Sequence, residues 1–346
     1  MSLVSVHNEW DPIEEVIVGT AINAQLPKPD ISVHAVDFPH CKTMAEIPFG
    51  PFPAHMLAEA EEDLAGLIHT LEKLNITIRR PDVTNHAQMF ATPDWQADAH
   101  YNYCPRDLVL AIGNTIIETP SPVRARYFEM NAYKKIFIDY MKSGAQWVSA
   151  PKPLLLDDCF APPHGYDNCL LNAEPLFDAA NILRIGEDIL YLISNSGNQM
   201  GAMWLRTMLG SRYRVHECHN LYHHKHIDTT FTILRPGLVV INPERVNQDN
   251  LPAIFQNWDK IWFDNIVDVG SISDTPLSSA WIGMNFLVVR PDLAIIEERQ
   301  VPLIQAVEKH GITVIPQRLR HPRAMGGGFH CATSDVRRTG TLERYT

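Results

Sequence analysis

Residues 107–118 read Asp-Leu-Val-Leu-Ala-Ile-Gly-Asn-Thr-Ile-Ile-Glu, an apolar run that is interrupted by Gly113-Asn114. A Gly-Asn pair between two β-branched stretches is typical of a hairpin, because both residues tolerate the backbone angles of a tight turn. An amphipathic helix is predicted next at Tyr127–Met141, and a short strand follows at Gln146–Val148. This stretch therefore predicts one unit of β-hairpin, helix and strand.

Four more stretches repeat this order of elements along the chain. The β-rich parts are predicted at Glu14–Gly19, Asp188–Ser194, Gly237–Asn242 and Phe286–Glu297. The helices are predicted at Leu57–Leu74, Gln199–Leu209, Leu251–Trp258 and Val301–His310. The third strands are predicted at Ile76–Ile78, Tyr213–Val215, Ile261–Phe263 and Ile312–Ile315. No low-complexity linker separates the units, so we expect a single domain over residues 1–346.

A single unit of this kind cannot bury its own apolar face, so several units must pack together. Closing five units into a ring also removes exposed sheet edges. The pattern therefore favours an α/β fold, a five-bladed α/β propeller of ββαβ modules, over the alternative of an open α/β sheet. Loops from distant parts of the sequence would then meet in one central cavity.

The composition is that of an acidic globular protein. The 346 residues are 45% hydrophobic and carry a formal net charge of −11, which argues against nucleic acid or an anionic membrane as a partner. The six cysteines are scattered, so we expect free thiols in a reducing compartment. There is no signal peptide pattern and no apolar stretch of the roughly 18 residues that span a membrane. The sequence therefore predicts a cytoplasmic protein.

One cysteine follows a run of three glycines, Gly326–Gly328, through Phe329 and His330. Glycine permits a positive φ and the close approach of a substrate, neither of which a structural cysteine needs. We therefore predict that Cys331 is a thiolate nucleophile. The alternative is a buried apolar cysteine, the commonest state of a free thiol.

Three histidines and a carboxylate cluster in the segment Tyr222–Asp228. In an extended strand, His226 and Asp228 point to the same face, where they suit general acid–base catalysis beside a cationic substrate. The alternatives are a solvated polar turn and a metal site. Because the spacing matches no zinc pattern, we predict no metal.

Three further charged residues are candidates for a site. Asp178 precedes two alanines, whose small side chains leave room for a partner at a buried carboxylate. The alternative is that Asp178 caps a helix. Asp107 stands at the mouth of a strand, where it suits a guanidinium, or it pairs with Arg106. Arg245 ends a strand and suits a substrate carboxylate, or it pairs with Glu244.

Together these residues form a constellation of cysteine, histidine and aspartate with additional carboxylates. A Cys/His pair implies covalent catalysis at an electrophilic carbon. The surplus of carboxylates disfavours a peptide carbonyl and favours a cationic group such as guanidinium.

The chain resembles the amidinotransferases of the pentein, or guanidino-group-modifying, superfamily over essentially its whole length. It is most similar to the inosamine-phosphate amidinotransferases of aminoglycoside pathways, which also share the opening Ser5–Pro12. The other segments that carry the resemblance are Pro105–Asp107 with the hairpin at 113–118, Phe177–Ala180, His226–Asp228, Asn242–Arg245, Gly326–Cys331 and Asp335–Arg338.

The resemblance implies a two-step transfer without a metal or organic cofactor. Cys331 would attack the guanidinium carbon of L-arginine, ornithine would leave, and an acceptor amine would collect the amidino group from the cysteine. His226 would transfer the protons, and Asp178 would orient it. A homodimer is a further expectation at the level of the family.

For the substrates, the resemblance implies that Asp107 and Asp228 bind the guanidinium. Arg245 would hold the carboxylate of arginine, and Ser279 would contact its amino-acid group. The remaining partner is the acceptor amine.

Two positions bear on that acceptor. Family members that use glycine carry asparagine and methionine where this chain has His223 and Lys225, which disfavours glycine. The two residues either bind an acidic group such as a phosphate or are solvated. The predicted acceptor is an inosamine phosphate. The alternatives are an amino acid such as lysine, a toxin precursor, or water in an arginine deiminase-like hydrolysis.

Overall fold

The computed structural model describes residues 2–162 and 168–345. These residues contain five three-stranded sheets, which we call blades one to five. In each blade the middle strand pairs antiparallel with the first strand and parallel with the third. In that order the strands are Thr333–Arg338, Ile13–Val18 and Thr77–Arg79 in blade one; Val109–Ile112, Thr115–Glu118 and Gln146–Ser149 in blade two; Ile182–Ile185, Asp188–Leu192 and Arg214–Cys218 in blade three; Phe231–Arg235, Leu238–Ile241 and Asp259–Trp262 in blade four; and Leu287–Arg290, Leu293–Glu297 and Thr313–Gln317 in blade five. The predicted five-bladed α/β propeller is confirmed.

Helices connect the middle strand to the third strand in four of the blades. They are Ala54–Lys73, Lys134–Lys142, Gln199–Leu209 and Val301–Glu308, in blades one, two, three and five. Other elements are the short helices Ile31–Val36 and Pro322–Met325 and the strand pairs Gln25–Leu26 with Gly50–Pro51 and Phe90–Ala91 with Gln96–Ala97. Within the described part of the chain, no helix is both long and apolar enough to cross a membrane.

Blade four lacks the helix that the sequence predicts at Leu251–Trp258, and this prediction is wrong. The segment forms a 3₁₀ turn at Ala253–Phe255 instead. Pro252 stands directly before this turn in extended backbone, with a ψ of 133°. This ψ lies outside the α region, so no helix begins at Pro252, and only the short turn follows.

The two ends of the chain meet in blade one. Strand Thr333–Arg338 pairs antiparallel with Ile13–Val18, which places Thr333 opposite Val18. The sequence analysis assigned no hairpin partner to the first strand, because this partner lies at the other end of the chain. The pairing closes the ring and fixes the backbone directly after Cys331.

Charged side chains meet where the blades converge. Arg184 of blade three pairs with Glu9 at 2.7 Å and with Asp335 of blade one at 3.0 Å. Asp335 also pairs with Arg106 at 2.5 Å and with Arg338 at 2.6 Å. All five side chains are buried, and we call them the central ion cluster. Burial alone would raise the pKa of Asp335, but the three arginines hold it well below its ordinary value.

Replacing Asp335 should destabilise the protein, because three buried arginines would lose their shared carboxylate. We expect Asp335→Asn to lower the free energy of unfolding by about 3–5 kcal/mol in urea denaturation at neutral pH. The folded-state pKa of Asp335 is lowered, so this stabilisation is present above the ordinary aspartate pKa and is lost as the pH falls through the lowered value.

The matched control is Asp292→Asn, which removes an exposed pair with Arg290, 2.7 Å apart, from the hairpin of blade five. Exposed ion pairs contribute about 0–1 kcal/mol. Equally small losses in the two variants would contradict the stabilising role of the central ion cluster.

Candidate active site

Cys331 follows a turn in which glycine is required for two different reasons. Gly326 ends the helix Pro322–Met325 with a φ of +73°, in the left-handed region. A Cβ on Gly328 would lie 2.8 Å from the Cβ of Asn285, closer than two carbon atoms can approach. The turn therefore packs tightly against its neighbours and leaves the side chain of Cys331 only 2% exposed.

The sulfur of Cys331 lies beside a hydrogen-bond acceptor, a donor and the thiol of Cys104. The thiol donates to Oδ2 of Asp228 at 3.3 Å. Nδ2 of Asn285 donates to the sulfur at 3.1 Å, and Oδ1 of Asn285 accepts from the backbone N–H of Cys331 at 2.9 Å. Asp228 also contacts Nδ1 of His330 at 2.9 Å. Nothing in the sequence singled out Asn285, which is uncharged and lies outside the motifs.

His226 lies between two aspartates. Its Nε2 is 3.1 Å from Oδ2 of Asp178, and its Nδ1 is 3.6 Å from Oδ1 of Asp107. Asp178 stands before a 3₁₀ turn at Ala179–Asn181, but its side chain makes no capping hydrogen bond there. The fold thus brings together three side chains that are far apart in the sequence.

The extended strand that the sequence analysis drew through His226 and Asp228 is wrong. A 3₁₀ turn forms at Ile227–Thr229 instead, and the side chain of Ile227 is buried in the core. Both polar side chains nevertheless face the site. His226 contacts Asp178, and Asp228 contacts the thiol.

Arg126 holds Asp107 in place. Its Nη1 donates to Oδ2 of Asp107 at 2.6 Å, and its Nε pairs with Glu129 at 2.7 Å. Asp107 is therefore not the partner of Arg106, which joins the central ion cluster instead. Arg126 was not among the site residues predicted from the sequence. A cation at the start of a predicted helix opposes the helix dipole, and this unfavourable position was the available signal.

Two carboxylate oxygens of the site have no hydrogen-bond partner among residues 2–162 and 168–345. They are Oδ1 of Asp107 and Oδ1 of Asp178. An unpaired buried acceptor costs about 1–3 kcal/mol, so such atoms call for a donor. One donor or acceptor atom each of Asp107, His226 and Cys331 lies within 4.8 Å of the other two. These atoms can surround a cation, either a metal ion or a planar group with several N–H donors.

Known proteins that are similar to this chain in sequence and fold identify the family. The chain is 53% identical to inosamine-phosphate amidinotransferase 1 of Streptomyces glaucescens, over 100% of the chain and 99% of that protein. The chain belongs to the amidinotransferase family. The solved structure of the inosamine-phosphate amidinotransferase of Streptomyces griseus matches with a TM-score of 0.98 and 52% identity, over 100% of this chain and 99% of that one.

A second branch of the family is more distant. The L-arginine:L-lysine amidinotransferase of Pseudomonas savastanoi pv. phaseolicola is 36% identical, over 99% of this chain and 97% of that protein. No protein-family model matches the chain. The predicted resemblance to the amidinotransferases is therefore confirmed by whole-chain similarity, and the protein is an enzyme that transfers amidino groups.

In this amidinotransferase, the other four residues that were predicted from the sequence line a cavity of about 650 Å³. Its wall includes His223, Lys225, Arg245 and Ser279. Lys225 forms an ion pair with Asp37. Burial lowers the pKa of Lys225, but the Asp37 carboxylate outweighs this effect and raises the pKa above its ordinary value. The ammonium group therefore stays charged at neutral pH.

Arg245 does not pair with Glu244, which was the alternative that the sequence suggested. Its Nη1 donates to the hydroxyls of Thr229 and Thr230 at 2.7 and 3.0 Å, and its guanidinium lies 3.5 Å from the ring centre of Tyr222. Glu244 accepts from a tryptophan instead. The charge of Arg245 is thus available to a ligand in the cavity.

The site favours the protonated form of its imidazole and the neutral form of its thiol. Burial lowers the pKa of His226, but Asp107 and Asp178 outweigh this effect and raise it above 6.5. The neighbouring thiol of Cys104, burial and Asp228 together raise the pKa of Cys331 well above its ordinary value. A cation beside the sulfur is therefore needed to favour the thiolate.

The raised pKa of His226 can be measured directly by NMR titration of its imidazole. We expect a midpoint above 6.5 in the wild type and a midpoint lower by about one unit in Asp178→Asn, since one unit corresponds to about 1.4 kcal/mol of lost interaction. Because the folded-state pKa is raised, the protonated imidazole stabilises the folded protein below pH 6.5, and this stabilisation is lost as the pH rises through the raised pKa. A midpoint at or below 6.5 in the wild type would contradict the proximity of the two aspartates.

Proposed function

We propose that this amidinotransferase takes the amidino group from L-arginine and holds it covalently on Cys331. The observation that carries the proposal is the buried thiol within 4.8 Å of Asp107 and His226. The unpaired carboxylate oxygens of Asp107 and Asp178 suit the N–H groups of a guanidinium. The Pseudomonas relative, which is named for L-arginine, supports this donor.

Arginine is proposed to bind by both of its ends. Asp107 and Asp228 accept hydrogen bonds from the guanidinium, whose positive charge then promotes ionisation of the thiol. Arg245 binds the α-carboxylate from the wall of the cavity, and Ser279 contacts the same amino-acid group. The substrate therefore adds a further positive charge beside the sulfur.

When arginine binds, the thiol of Cys331 releases its proton to solvent. In the first half-reaction, the resulting thiolate attacks the guanidinium carbon and forms a C–S bond. The tetrahedral intermediate collapses, and the bond from that carbon to Nε of arginine breaks. Protonated His226, oriented by Asp178, gives its proton to this nitrogen, so ornithine leaves as an amine. An amidino-cysteine remains on the enzyme.

In the second half-reaction, the acceptor amine attacks the amidino carbon and gives a proton to the now neutral His226. The C–S bond breaks, and Cys331 leaves as a thiolate. The amidino group ends on the acceptor, and both side chains return to their starting protonation states. The same imidazole thus serves first as acid and then as base.

An inosamine phosphate is the acceptor that we propose. The relatives with about half of their residues identical over the full length carry that name. Lys225 and His223 line the cavity, where a cation suits a phosphate. Lysine, another amine or water in place of the acceptor are the alternatives, and water would yield citrulline.

The nucleophile is tested by Cys331→Ala. This variant should release no ornithine from arginine and acquire no amidino group, because no other atom forms the C–S bond. The control is Cys218→Ala, which removes another buried free thiol outside the site. Ornithine release is measured by mass spectrometry, and the protein is checked for a covalent amidino group. Wild-type rates in Cys331→Ala would refute the covalent mechanism.

The phosphate contact is tested by Lys225→Met. A hydrogen bond to a charged group contributes about 1.5–3 kcal/mol, so KM for an inosamine phosphate should rise by about 10- to 100-fold, while KM for the phosphate-free inosamine changes little. The control is Lys135→Met, which removes an exposed lysine that pairs with Asp82. Equal changes in KM for the two acceptors would exclude a phosphate contact.

We also infer a single domain over residues 1–346, a cytoplasmic location and a homodimer. The pairing of both chain ends in blade one supports a single domain. Cys41, Cys104, Cys159, Cys218 and Cys331 are free thiols, which suit a reducing compartment. Light scattering in solution tests the dimer, and a monomer mass at all concentrations would exclude it.

A further inference from the structure

We propose that Asn285 is a further catalytic residue, whose side-chain N–H stabilises the thiolate of Cys331 in both half-reactions. The inference rests on the proposed function, because it assumes that Cys331 acts as a thiolate. It adds a neutral hydrogen-bond donor to a site that otherwise presents carboxylates, imidazoles and thiols to the sulfur.

The orientation of the Asn285 amide is fixed by the backbone of Cys331. The backbone N–H of Cys331 can only donate, so the side-chain atom that faces it at 2.9 Å must be the oxygen, Oδ1. The other end of the amide, Nδ2, then faces the sulfur at 3.1 Å. If the amide were flipped, its NH₂ group would face the backbone N–H of Cys331, two donors would oppose each other, and the sulfur would lose this N–H. The sulfur is therefore the acceptor of the hydrogen bond from Nδ2.

The packing around Asn285 leaves the amide no room to turn away. Asn285 is 2% exposed, and its carbonyl oxygen accepts from the backbone N–H of His330 at 3.2 Å. Gly328 allows this approach, because a Cβ there would meet the Cβ of Asn285 at 2.8 Å. The residue is thus attached to the turn before Cys331 by its backbone and to Cys331 itself by its side chain.

The other groups near the sulfur oppose ionisation or carry out other tasks. Asp228 and Asp107 are carboxylates that favour the neutral thiol, as does the adjoining thiol of Cys104. The imidazole of His226 is bound to Asp178, and that of His330 is bound to Asp228. A thiolate forms when the substrate cation arrives, and it forms again when the acceptor expels it. A fixed N–H beside the sulfur favours the thiolate on both occasions without a charge that would repel the guanidinium.

The test is Asn285→Asp, which preserves the shape of the side chain and an oxygen for the N–H of Cys331 but removes the donor and adds a carboxylate. Alkylation of Cys331 by iodoacetamide is followed against pH by mass spectrometry of the peptide that contains it. We expect the midpoint to rise by about one unit or more, which slows alkylation about 10-fold at a pH below both midpoints. The kcat for ornithine release should fall more than KM for arginine rises.

The control is Asn198→Asp, since Asn198 is another buried asparagine, with its Oδ1 on backbone N–H groups and its Nδ2 on backbone carbonyls. This variant should lower the melting temperature without moving the midpoint of alkylation. An unchanged midpoint in folded Asn285→Asp would overturn the inference and leave the proposed function intact. Full activity of Cys331→Ala would instead refute the proposed function.

Wild-type protein offers a second measurement, should Asn285→Asp fail to fold. In protein labelled with isotopic nitrogen at asparagine, the side-chain amide of Asn285 should shift with pH at the midpoint of Cys331 alkylation, because its N–H bond responds to the charge on sulfur. An amide resonance that is constant through this midpoint would equally overturn the inference.

Discussion

The buried ion cluster is the constraint on which the rest of the molecule depends. Arg184 and Asp335 come from different blades, and neither charge is tolerated in the interior without the other. The contacts continue from Glu9, 3.5 Å from Nε2 of His330, through Asp228 to the thiol of Cys331. The geometry of the reactive sulfur is therefore tied to the ion pairs that hold the ring together.

The chemistry of the site follows from its excess of carboxylates. Asp107 and Asp228 disfavour a thiolate in the free enzyme, while Asp107 and Asp178 raise the pKa of His226. A guanidinium reverses the balance around the sulfur, because it brings a positive charge to the same carboxylates. In the proposed mechanism, the enzyme thereby couples the formation of its nucleophile to the presence of its substrate, and a fixed donor such as the Asn285 amide assists the change.

The repeat of hairpin, helix and strand made the ring and its central site accessible from the sequence. Cys331, His226 and Asp178 carry recognisable chemistry, and ring closure accounts for their meeting. The strand Thr333–Arg338 was not assigned as the partner of the first strand, because sequence patterns carry no information on pairing between the two chain ends. The apolar spacing at Leu251–Trp258 predicted a helix, but the backbone of Pro252 is extended and only a 3₁₀ turn follows.

Other features depend on contacts that no local pattern records. The bond from Arg126 to Asp107 joins segments whose approach is set by the fold. Asn285 became visible only through its two hydrogen bonds to Cys331. Ile227 shows the same limit, since a 3₁₀ turn forms there although alternation of the side chains predicted a strand.

The central claim is that arginine leaves its amidino group on the enzyme before any acceptor binds. Rapid quenching of the enzyme with excess arginine, in the absence of acceptor, tests it most directly. The account predicts a burst of one ornithine per active site, matched by one amidino group on Cys331, with no citrulline. Continuous citrulline formation without a burst, or ornithine that appears only when acceptor is present, would contradict it.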